Sequence, residues 1–420
     1  MNSPRTHLQE LFAAAVAAAQ PSVVVPRALP PKPAGRIRVI GVGKAAAAMA
    51  VVVEQAWGPE VSGLVITRYG HRLPTKHIVV REAAHPLSDQ AGYAATQALK
   101  RELHNLKPND LVLGLFSGGG SALLADPAAP LTLADWNQVN QGLLQSGATI
   151  QDINRVRKHL SAINGGRLAQ LCFPAAVVGL VLSDIPGDDL AMVASGPLSG
   201  EDSTPEEALA ILERYQIALP ERVRAHLVQS TNRPLRTQDP MIQRVSLTLV
   251  GSASLSLQAA AAKAKQLGLE PWIVSDALTG EAVDVGRTMA ACVDRVRSQG
   301  RASAPWVILS GGESTVTLRQ PGRGGRNTEA LLSAALAFRG QGGVHALFAD
   351  TDGIDGTEHN AGAFADGQTI SRLNRLGVSA DHCLNTHHAF DAFAALNDLF
   401  VTGPTHTNVN DFRAILVEPA

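Results

Sequence analysis

The chain has 420 residues, and 36 lysines and arginines against 37 aspartates and glutamates leave a formal net charge of −1. Hydrophobic residues make up 45% of the chain, which is enough for sizeable cores and excludes wholesale disorder, while the balanced charge gives no basic excess for a nucleic-acid backbone. No apolar run approaches the roughly 18–20 residues of a membrane span, so we expect a soluble protein of two or three domains.

The first segment of the chain is rich in alanine. Residues 11–19 read LFAAAVAAA and resemble a signal-peptide core, but Glu10 lies directly before them and Gln20-Pro21 ends them as a helix would end. We therefore predict a first helix and a cytoplasmic protein. Three cysteines share no metal-binding spacing and fit reduced thiols in that compartment: Cys172, Cys292 and Cys383.

Short apolar runs alternate with longer amphipathic runs along the first half of the chain, as in the βα units of a mainly parallel sheet. The predicted strands cover 36–41, 63–67, 78–81, 111–116 and 176–182, and the predicted helices cover 44–57, 151–160 and 205–215. The helix 151–160 is polar and carries Arg155, Arg157 and Lys158, and we expect its His159 to face solvent.

The polar stretch 229–240 contains two prolines, has no periodicity and is predicted to connect two domains. After it the βα rhythm starts again, with strands at 245–250, 272–274, 306–309, 315–318, 344–348 and 414–417 and helices at 255–267 and 281–298. We therefore predict two Rossmann-like three-layer α/β domains with mainly parallel sheets, over residues 1–235 and 241–420. The cleft between two such domains is a common place for a ligand site.

The turns after strands are the expected sites of chemistry, because ligands of open α/β sheets bind beyond the carboxyl ends of the strands. The first turn, 41–46, reads GVGKAA and fits the relaxed dinucleotide-binding fingerprint. It also fits an anion site made by helix-start amides and the ammonium group of Lys44, or a plain small-residue turn with a surface lysine. It is not a Walker A loop, because the spacer and the Ser/Thr are missing.

Two glycine turns repeat one design, one in each half of the chain. Residues 117–121 read SGGGS and residues 310–314 read SGGES, each after a predicted strand. Several glycines let the backbone point N–H groups at one anion, and the serines add hydroxyl donors, so the repeat suggests a shared polyanionic ligand. Of the loop histidines, His85 and His359 could line a cleft, although a surface position is the commoner alternative.

Two acidic loops also follow predicted strands. Residues 183–189 read SDIPGDD, with Ser195-Gly196-Pro197 shortly after, and residues 350–356 read DTDGIDG, preceded by the glycine-flanked Arg326. Buried carboxylates are costly unless they bind cations or act as bases, and a solvated acidic turn is the alternative in each case. Together with the anion-binding turns they match phosphoryl transfer, which needs phosphate donors, a cation and a carboxylate that steers a hydroxyl.

Eight segments resemble, in chain order, those of glycerate 2-kinases that end in a MOFRL domain: GVGKAA (41–46), EAAHPLSD (82–89), SGGGSALL (117–124), LSDIPGDDLAMVASGP (182–197), SGGESTVTL (310–318), GRGGRNTEA (322–330), FADTDGIDG (348–356) and GPTHTNVND (403–411). The resemblance implies ATP- and Mg²⁺-dependent phosphorylation of D-glycerate to 2-phosphoglycerate between two domains, with a MOFRL-type region at about 303–415. It implies small-molecule partners, ATP and D-glycerate, and neither nucleic acid nor membrane. A cytoplasmic monomer or homodimer is expected.

By motif match, Lys44 and Arg326 fall on the family's proposed catalytic lysine and arginine. We further expect Asp189 or Asp184 to orient or deprotonate the attacking hydroxyl. The residues expected to hold nucleotide phosphates or the substrate carboxylate are Gly43, Ser117, Gly118, Gly119, Gly120, Ser121, Ser195, Gly196, Ser310, Gly311, Gly312 and Glu313. The carboxylates expected to reach the metal, directly or through water, are Asp350 and Asp352.

One position departs from the family pattern, which has glycine where this chain has His406. If that glycine needs a positive φ, histidine is strained there. The geometry of this late loop and the range of substrates are therefore left open.

Two other interpretations remain open. A nicotinamide-dependent reductase acting on hydroxypyruvate would use GVGKAA, and Arg68 at the next strand end suits the 2′-phosphate of NADP. It leaves both SGG turns and both acidic loops unexplained. A non-catalytic sensor of sugar phosphates would use the anion-binding turns but leaves Lys44 and the aspartates without a role.

Overall fold

The structure is a computed structural model that describes residues 3–229, 233–298, 304–318 and 320–419. Part of the predicted connection 229–240 and two residues of the predicted 303–415 region, 303 and 319, lie outside the described residues. The chain forms two compact units. The N-terminal unit comprises Pro21–Ser183 and Asp189–Val250, and the C-terminal unit comprises Met1–Gln20, Asp184–Asp188 and Gly251–Ala420, each as far as it is described.

Helices and strands alternate along most of the chain. The helices are α1 (Pro4–Ala18), α2 (Pro21–Ala28), α3 (Ala46–Trp57), α4 (Gln90–Glu102), α5 (Gly120–Leu123), α6 (Leu133–Gln145), α7 (Ile150–Leu160), α8 (Arg167–Cys172), α9 (Pro205–Arg214), α10 (Glu221–Gln229), α11 (Ala253–Gln266), α12 (Ala282–Ser298), α13 (Arg326–Ala337), α14 (Thr369–Arg375), α15 (Ala380–Asn385) and α16 (Ala389–Ala395). The strands are β1 (Ile37–Val42), β2 (Val61–Arg68), β3 (Ile78–Ala83), β4 (Leu111–Phe116), β5 (Ala176–Leu182), β6 (Val245–Gly251), β7 (Glu270–Ser275), β8 (Gly280–Glu281), β9 (Trp306–Ser310), β10 (Ser314–Thr315), β11 (Val344–Asp350), β12 (Gly362–Asp366), β13 (Leu399–Phe400) and β14 (Asp411–Val417).

The sheet of the N-terminal unit has the strand order β3-β2-β1-β4-β5-β6. The pairs β1–β2, β1–β4, β2–β3 and β4–β5 are parallel. This order is typical of doubly wound nucleotide-binding sheets, whose ligands bind beyond the carboxyl ends of the strands. The predicted parallel α/β architecture is therefore confirmed for this unit, and the loops after β1 and β4 lie at the ligand-binding edge of its sheet.

The sheet of the C-terminal unit has the order β13-β12-β11-β14-β9-β7 and is mainly antiparallel. Among its described strands only β7 and β9 pair in parallel. The α/β class is thus confirmed, but the prediction that the second sheet is mainly parallel is wrong. The physical reason is β12, a short strand (GAFAD) that follows β11 without a helix between them and so returns in the opposite direction.

Helix α1 supplies part of the hydrophobic core of the C-terminal unit. Its apolar face, formed by Leu8, Leu11, Phe12 and Ala15, packs with α11 and with β11 and β14. By length and composition alone, Pro4–Ala28 could cross a membrane, but the segment is two helices and half of its most apolar window is buried inside the protein.

The compact units depart from the predicted limits 1–235 and 241–420 at three places. Residues 3–20 and 184–188 pack with the C-terminal unit, although both precede the predicted boundary. Residues 241–250 belong to the N-terminal unit, although they follow the predicted boundary, because β6 is the last strand of the N-terminal sheet. The apolar face of α1 explains the first departure, because that face is buried against C-terminal strands.

Candidate functional site

In the N-terminal unit the loop after β1 is locked against the loop after β4. Gly43 has a φ of 133°, and a Cβ there would overlap Ser117, so this close approach requires glycine. The amide of Lys44 donates to the carbonyl of Gly118 at 2.9 Å, and the amide of Ala45 donates to the hydroxyl of Ser117 at 3.0 Å. A dinucleotide pyrophosphate would need these helix-start amides, so the geometry does not favour a nicotinamide cofactor at this turn.

The side chain of Lys44 lies beside the glycine loop. A Cβ added at Gly119, whose φ is 78°, would lie 3.1 Å from Cδ2 of His85 and 3.4 Å from Cγ of Lys44. In the described part of the chain the amides of Gly119 and Gly120 have no hydrogen-bond acceptor. The structure therefore brings the predicted Lys44 and glycine loop together and adds His85 as their neighbour.

A third loop of the same unit packs on the glycine loop. Its residues Ala194, Ser195 and Gly196 have φ values of 52°, 60° and 59°. The hydroxyl of Ser195 lies 2.6 Å from Oδ1 of Asn154 and 2.8 Å from the hydroxyl of Ser121. Left-handed conformations of residues other than glycine are costly, and Ala194 and Ser195 are two such residues in succession. The binding role of Ser195 and Gly196 stays a prediction.

Helix α7, which carries Asn154, is buried, and the prediction that His159 faces solvent is wrong. Nζ of Lys158 pairs with Glu201 at 3.0 Å, and Nε2 of His159 lies 3.1 Å from the hydroxyl of Ser203. Burial lowers the pKa of His159 to about 4, although the charge of Glu201 opposes the shift. These partners lie 43 and 44 positions away in the chain, which is why a local sequence pattern does not show them.

The two predicted bases lie in different surroundings. Asp189, in the N-terminal unit, is exposed, and its Oδ1 accepts the amide of Ala191 at 3.0 Å. Asp184, in the C-terminal unit, is half-buried, and its Oδ2 accepts Nδ2 of Asn408 at 3.1 Å. The side chain of Asn410 donates to the carbonyl of Asp184, so the loop before β14 holds this residue at two points.

In the C-terminal unit three carboxylates surround Arg326 at the start of α13. Its Nε, Nη1 and Nη2 donate to Asp411, Glu313 and Asp350, each at 2.7 Å. Burial would lower the pKa of Arg326, but the three carboxylates raise it well above its ordinary value. Arg326 is therefore a fixed cation whose side chain keeps 22% of its surface exposed.

Asp411 and Arg413 are functional candidates that sequence reasoning missed. Asp411 is fully buried. Its carboxylate accepts hydrogen bonds from Nε of Arg326, from Nδ2 of Asn327 at 2.8 Å and from the guanidinium of Arg413. Burial would raise the pKa of Asp411, but the two guanidinium groups lower it. Arg413 also donates to the carbonyl of Gly311 at 3.0 Å. An arginine inside the apolar strand DFRAILV was the available signal, because a buried charge needs a partner.

The second SGG turn is shaped by packing. Gly312 has a φ of 107°, and a Cβ there would overlap the backbone of Leu278. The amide of Gly311 donates to the carbonyl of Ser275 at 2.8 Å, and the hydroxyl of Ser310 donates to the carbonyl of Gly311 at 3.0 Å. Four residues of this turn were predicted to bind phosphate. Of these, Glu313 is the one whose side chain contacts Arg326.

The side chains of Asp350 and Asp352 bond to groups of the protein itself. Oδ2 of Asp350 pairs with Arg326 and its Oδ1 accepts the amide of Asp352 at 3.0 Å, while Oδ1 of Asp352 accepts the amide of Ile354 at 2.9 Å. Across the described ranges no group of three or more histidine, cysteine, aspartate or glutamate side chains could hold a metal ion. Asp350 thus acts as a counter-ion of Arg326, and the Mg²⁺ expected from the resemblance stays a prediction.

The third aspartate of this loop, Asp355, holds the first turn of α13. Its carboxylate accepts the amides of Asn327 and Thr328 at 2.9 Å each and the hydroxyl of Thr328 at 2.8 Å. Burial raises the pKa of Asp355, although these hydrogen bonds oppose the shift. Asp355 fixes the helix that presents Arg326, a role that the sequence did not indicate.

His406 has a φ of 61°, so this position does need a positive φ and the histidine adopts the left-handed conformation. Its neighbour Thr405 donates its amide to the carbonyl of Asp352 at 3.1 Å and its hydroxyl to the carbonyl of Thr351 at 2.5 Å. The loop that contains the strained histidine therefore packs directly on the aspartate loop.

Two protein families match the chain: a domain of unknown function, DUF4147, over residues 7–228, and the MOFRL family over residues 306–411. A protein of Agrobacterium vitis with the provisional name hydroxypyruvate reductase is 49% identical, over 99% of this chain and 95% of the relative. The D-glycerate 2-kinase of Thermotoga maritima is 37% identical, over 96% of this chain and 95% of the relative. A crystal structure of glycerate kinase from Thermotoga maritima matches with a TM-score of 0.86 at 36% identity, over 98% of this chain and 99% of that one.

Proposed function

Because the chain belongs to the glycerate 2-kinase family, with similarity along nearly its full length, we propose that it transfers the γ-phosphoryl group of ATP to the 2-hydroxyl of D-glycerate. The bond between the substrate oxygen and the γ-phosphorus forms as the bond from that phosphorus to the β,γ-bridging oxygen breaks. The hydroxyl proton passes to a carboxylate, and the products are 2-phospho-D-glycerate and ADP. The observation that carries the proposal is a fixed arginine cation, Arg326, on a fold shared with a glycerate kinase.

The N-terminal unit contributes phosphate binding to the proposed reaction. The amides of Gly119 and Gly120 lack acceptors among the described residues and can donate to phosphate oxygens. Lys44, beside them, stabilises the charge that develops on the transferring phosphoryl group. Ser117 and Gly118 already bind the turn after β1, so their part is to hold the loop in shape.

Arg326 supplies the second cation. Three of its five N–H groups are engaged by carboxylates, and two remain for a phosphoryl or carboxylate oxygen. Glu313 is 44% exposed, against 6% for Asp350 and 0% for Asp411. Exchange of Glu313 for a ligand oxygen therefore requires the least rearrangement.

Asp189 is the proposed base and Asp184 the alternative. The exposed carboxylate of Asp189 can approach a substrate hydroxyl, whereas the carboxylate of Asp184 is engaged by Asn408. The cytoplasm is the proposed compartment, in keeping with three cysteines that are free thiols.

A coupled assay of ADP release with D-glycerate, L-glycerate and tartrate tests the proposal, and phosphorus NMR of the product locates the phosphate. We expect ADP release with D-glycerate and a phosphate on the 2-oxygen. The second candidate is the hydroxypyruvate reductase activity for which the Agrobacterium vitis relative is named. NADPH oxidation with hydroxypyruvate, together with no ADP release from D-glycerate, would contradict the kinase proposal and support the reductase activity.

A further inference from the structure

Arg157 on α7 is a buried cation with very few partners. The residue is 7% exposed, and in the described part of the chain its guanidinium makes one hydrogen bond, from Nε to Oδ1 of Asn140 on α6, and no ion pair. Burial lowers the pKa of Arg157 to about 10. A buried charge without a counter-charge is unfavourable, so its presence indicates an anion that binds there.

The other buried arginines of the described chain show what a structural arginine looks like. Arg167 is 5% exposed and donates to the carbonyls of Lys158 and Asn164 at 2.8 and 2.9 Å. Arg413 is paired with Asp411. Arg157 differs from both, because its terminal nitrogens have neither carbonyls nor carboxylates as acceptors among the described residues.

The surroundings of Arg157 connect it to the glycine loop through α7. Asn154 lies one turn earlier on the same helix, three residues away, and therefore on the same face. Its Oδ1 is 2.6 Å from the hydroxyl of Ser195, which in turn is 2.8 Å from the hydroxyl of Ser121. One turn of helix thus separates Arg157 from the hydroxyl pair of the proposed site.

Helix α6 connects Arg157 to the same loop from the other side. Trp136, one turn before Asn140, donates to the hydroxyl of Ser88 at 3.2 Å, and that hydroxyl donates to the carbonyl of Ala122 at 2.6 Å. The guanidinium is therefore held between two helices that are both anchored on residues 121–122.

We propose that Arg157 binds the carboxylate of the acceptor substrate, through its terminal nitrogens, and so selects hydroxy acids over neutral alcohols. The proposal rests on the proposed function. A guanidinium fork matches a carboxylate bidentately. Its one hydrogen-bond partner among the described residues, Asn140, is uncharged, so the guanidinium supplies a single positive charge, which matches the single charge of a carboxylate better than the two charges of a phosphate.

The test compares Arg157→Met and Arg157→Lys with Arg167→Met, in the full-length protein. We expect Arg157→Met to raise the KM for D-glycerate about 10- to 100-fold and to leave the KM for ATP within about twofold, because a charge-assisted contact is lost. Its Tm stays within a few degrees of the wild type, since the removal of an unpaired buried charge offsets the loss of the hydrogen bond to Asn140. Arg157→Lys recovers part of the glycerate affinity. Arg167→Met lowers the Tm, because two buried carbonyls lose their donor, and keeps the KM for glycerate.

A KM for D-glycerate that is unchanged in both Arg157 variants overturns the proposal, and so does a rise confined to the KM for ATP, which would assign the arginine to a nucleotide phosphate. If Arg157→Met does not fold, Arg157→Lys decides through the ratio of kcat/KM for D-glycerate to that for glyceramide, which should fall.

Ligand binding without ATP separates this proposal from the kinase proposal. D-glycerate and lactate should stabilise the wild-type protein against heat and should not stabilise Arg157→Met, even if the wild type releases no ADP. Equal stabilisation of both proteins, or stabilisation of neither, overturns the role of Arg157.

Discussion

The glycine loops of the N-terminal unit and the Arg326 cluster of the C-terminal unit position their cations in different ways. The loops around Lys44 are positioned by close backbone packing, since Ser117 leaves no room for a Cβ at Gly43. Around Arg326 the position is set by charge, through three carboxylates at 2.7 Å. Substitution of Lys44 should therefore lower turnover with little loss of stability. Substitution of a buried carboxylate around Arg326 should lower both turnover and stability.

Lys44→Ala should have the largest effect on turnover. The proposed role of Lys44 is to stabilise charge on the transferring phosphoryl group, and removal of such a group lowers kcat by about 100- to 1000-fold. The side chain is only partly buried, so the Tm should stay within a few degrees of the wild type. Steady-state ADP release and a melting curve measure both quantities. A variant with normal turnover would remove Lys44 from the mechanism.

Asp411→Asn should have the largest effect on stability. The change leaves Arg326 and Arg413 facing a neutral amide inside the protein, and breaking a buried ion pair in this way lowers the free energy of unfolding by about 3–5 kcal/mol. The kcat should fall as well, because Arg326 loses the partner of its Nε. Denaturant unfolding and steady-state kinetics are the measurements.

Asp355→Asn is the matched control, since this carboxylate is also buried and holds the same helix. Burial raises the pKa of Asp355, so a neutral side chain is better tolerated there, and the loss should be near the 1–2 kcal/mol of a helix cap. Equal losses of stability and of kcat in both variants would show that Asp411 acts as a helix support and not through charge.

His159→Gln should remove a pH dependence of stability in the N-terminal unit. The folded protein holds the pKa of His159 at about 4, below its ordinary value near 6.5, because the ring is buried. Protonation then favours the unfolded chain. The neutral ring of His159 therefore contributes about 3 kcal/mol to the free energy of unfolding above about pH 6.5. This contribution is lost as the pH falls towards 4.

The measurement is denaturant unfolding of the wild type and the variant between pH 4 and 7. The exposed His104→Gln is the control and should leave the slope of stability against pH unchanged. If His159→Gln keeps the wild-type slope, other groups carry the acid sensitivity.

Features set by local sequence patterns could be predicted, whereas features set by distant contacts could not. The parallel sheet was predictable because a helix separates most of its strands, and the glycine loops were predictable because close backbone contact needs adjacent glycines. The antiparallel second sheet was not, since β12 is too short and too rich in small residues to be recognised as a strand. Two of the three carboxylates around Arg326, Glu313 and Asp350, were selected from sequence motifs as site residues. The pairing of Arg326 with Asp411, 85 positions away, depends on the fold and was not predictable from the sequence.

Glu313→Gln should have the smallest effect and therefore tests how the charge around Arg326 is divided. Glu313 contacts the same guanidinium as Asp350 at the same 2.7 Å, but it is 44% exposed and Asp350 is 6% exposed. Exposed pairs contribute less than about 1 kcal/mol, so Glu313→Gln should change the free energy of unfolding by no more than that, while Asp350→Asn should lower it by several times as much. If Glu313 gives way to a ligand oxygen, the variant should bind ATP or glycerate as well as the wild type or more tightly, since a competitor for Arg326 is weakened. A loss of activity as large as that of Asp350→Asn would instead mean that Glu313 stays on Arg326 during the reaction, and the cluster would then present its cation through the two remaining N–H groups alone.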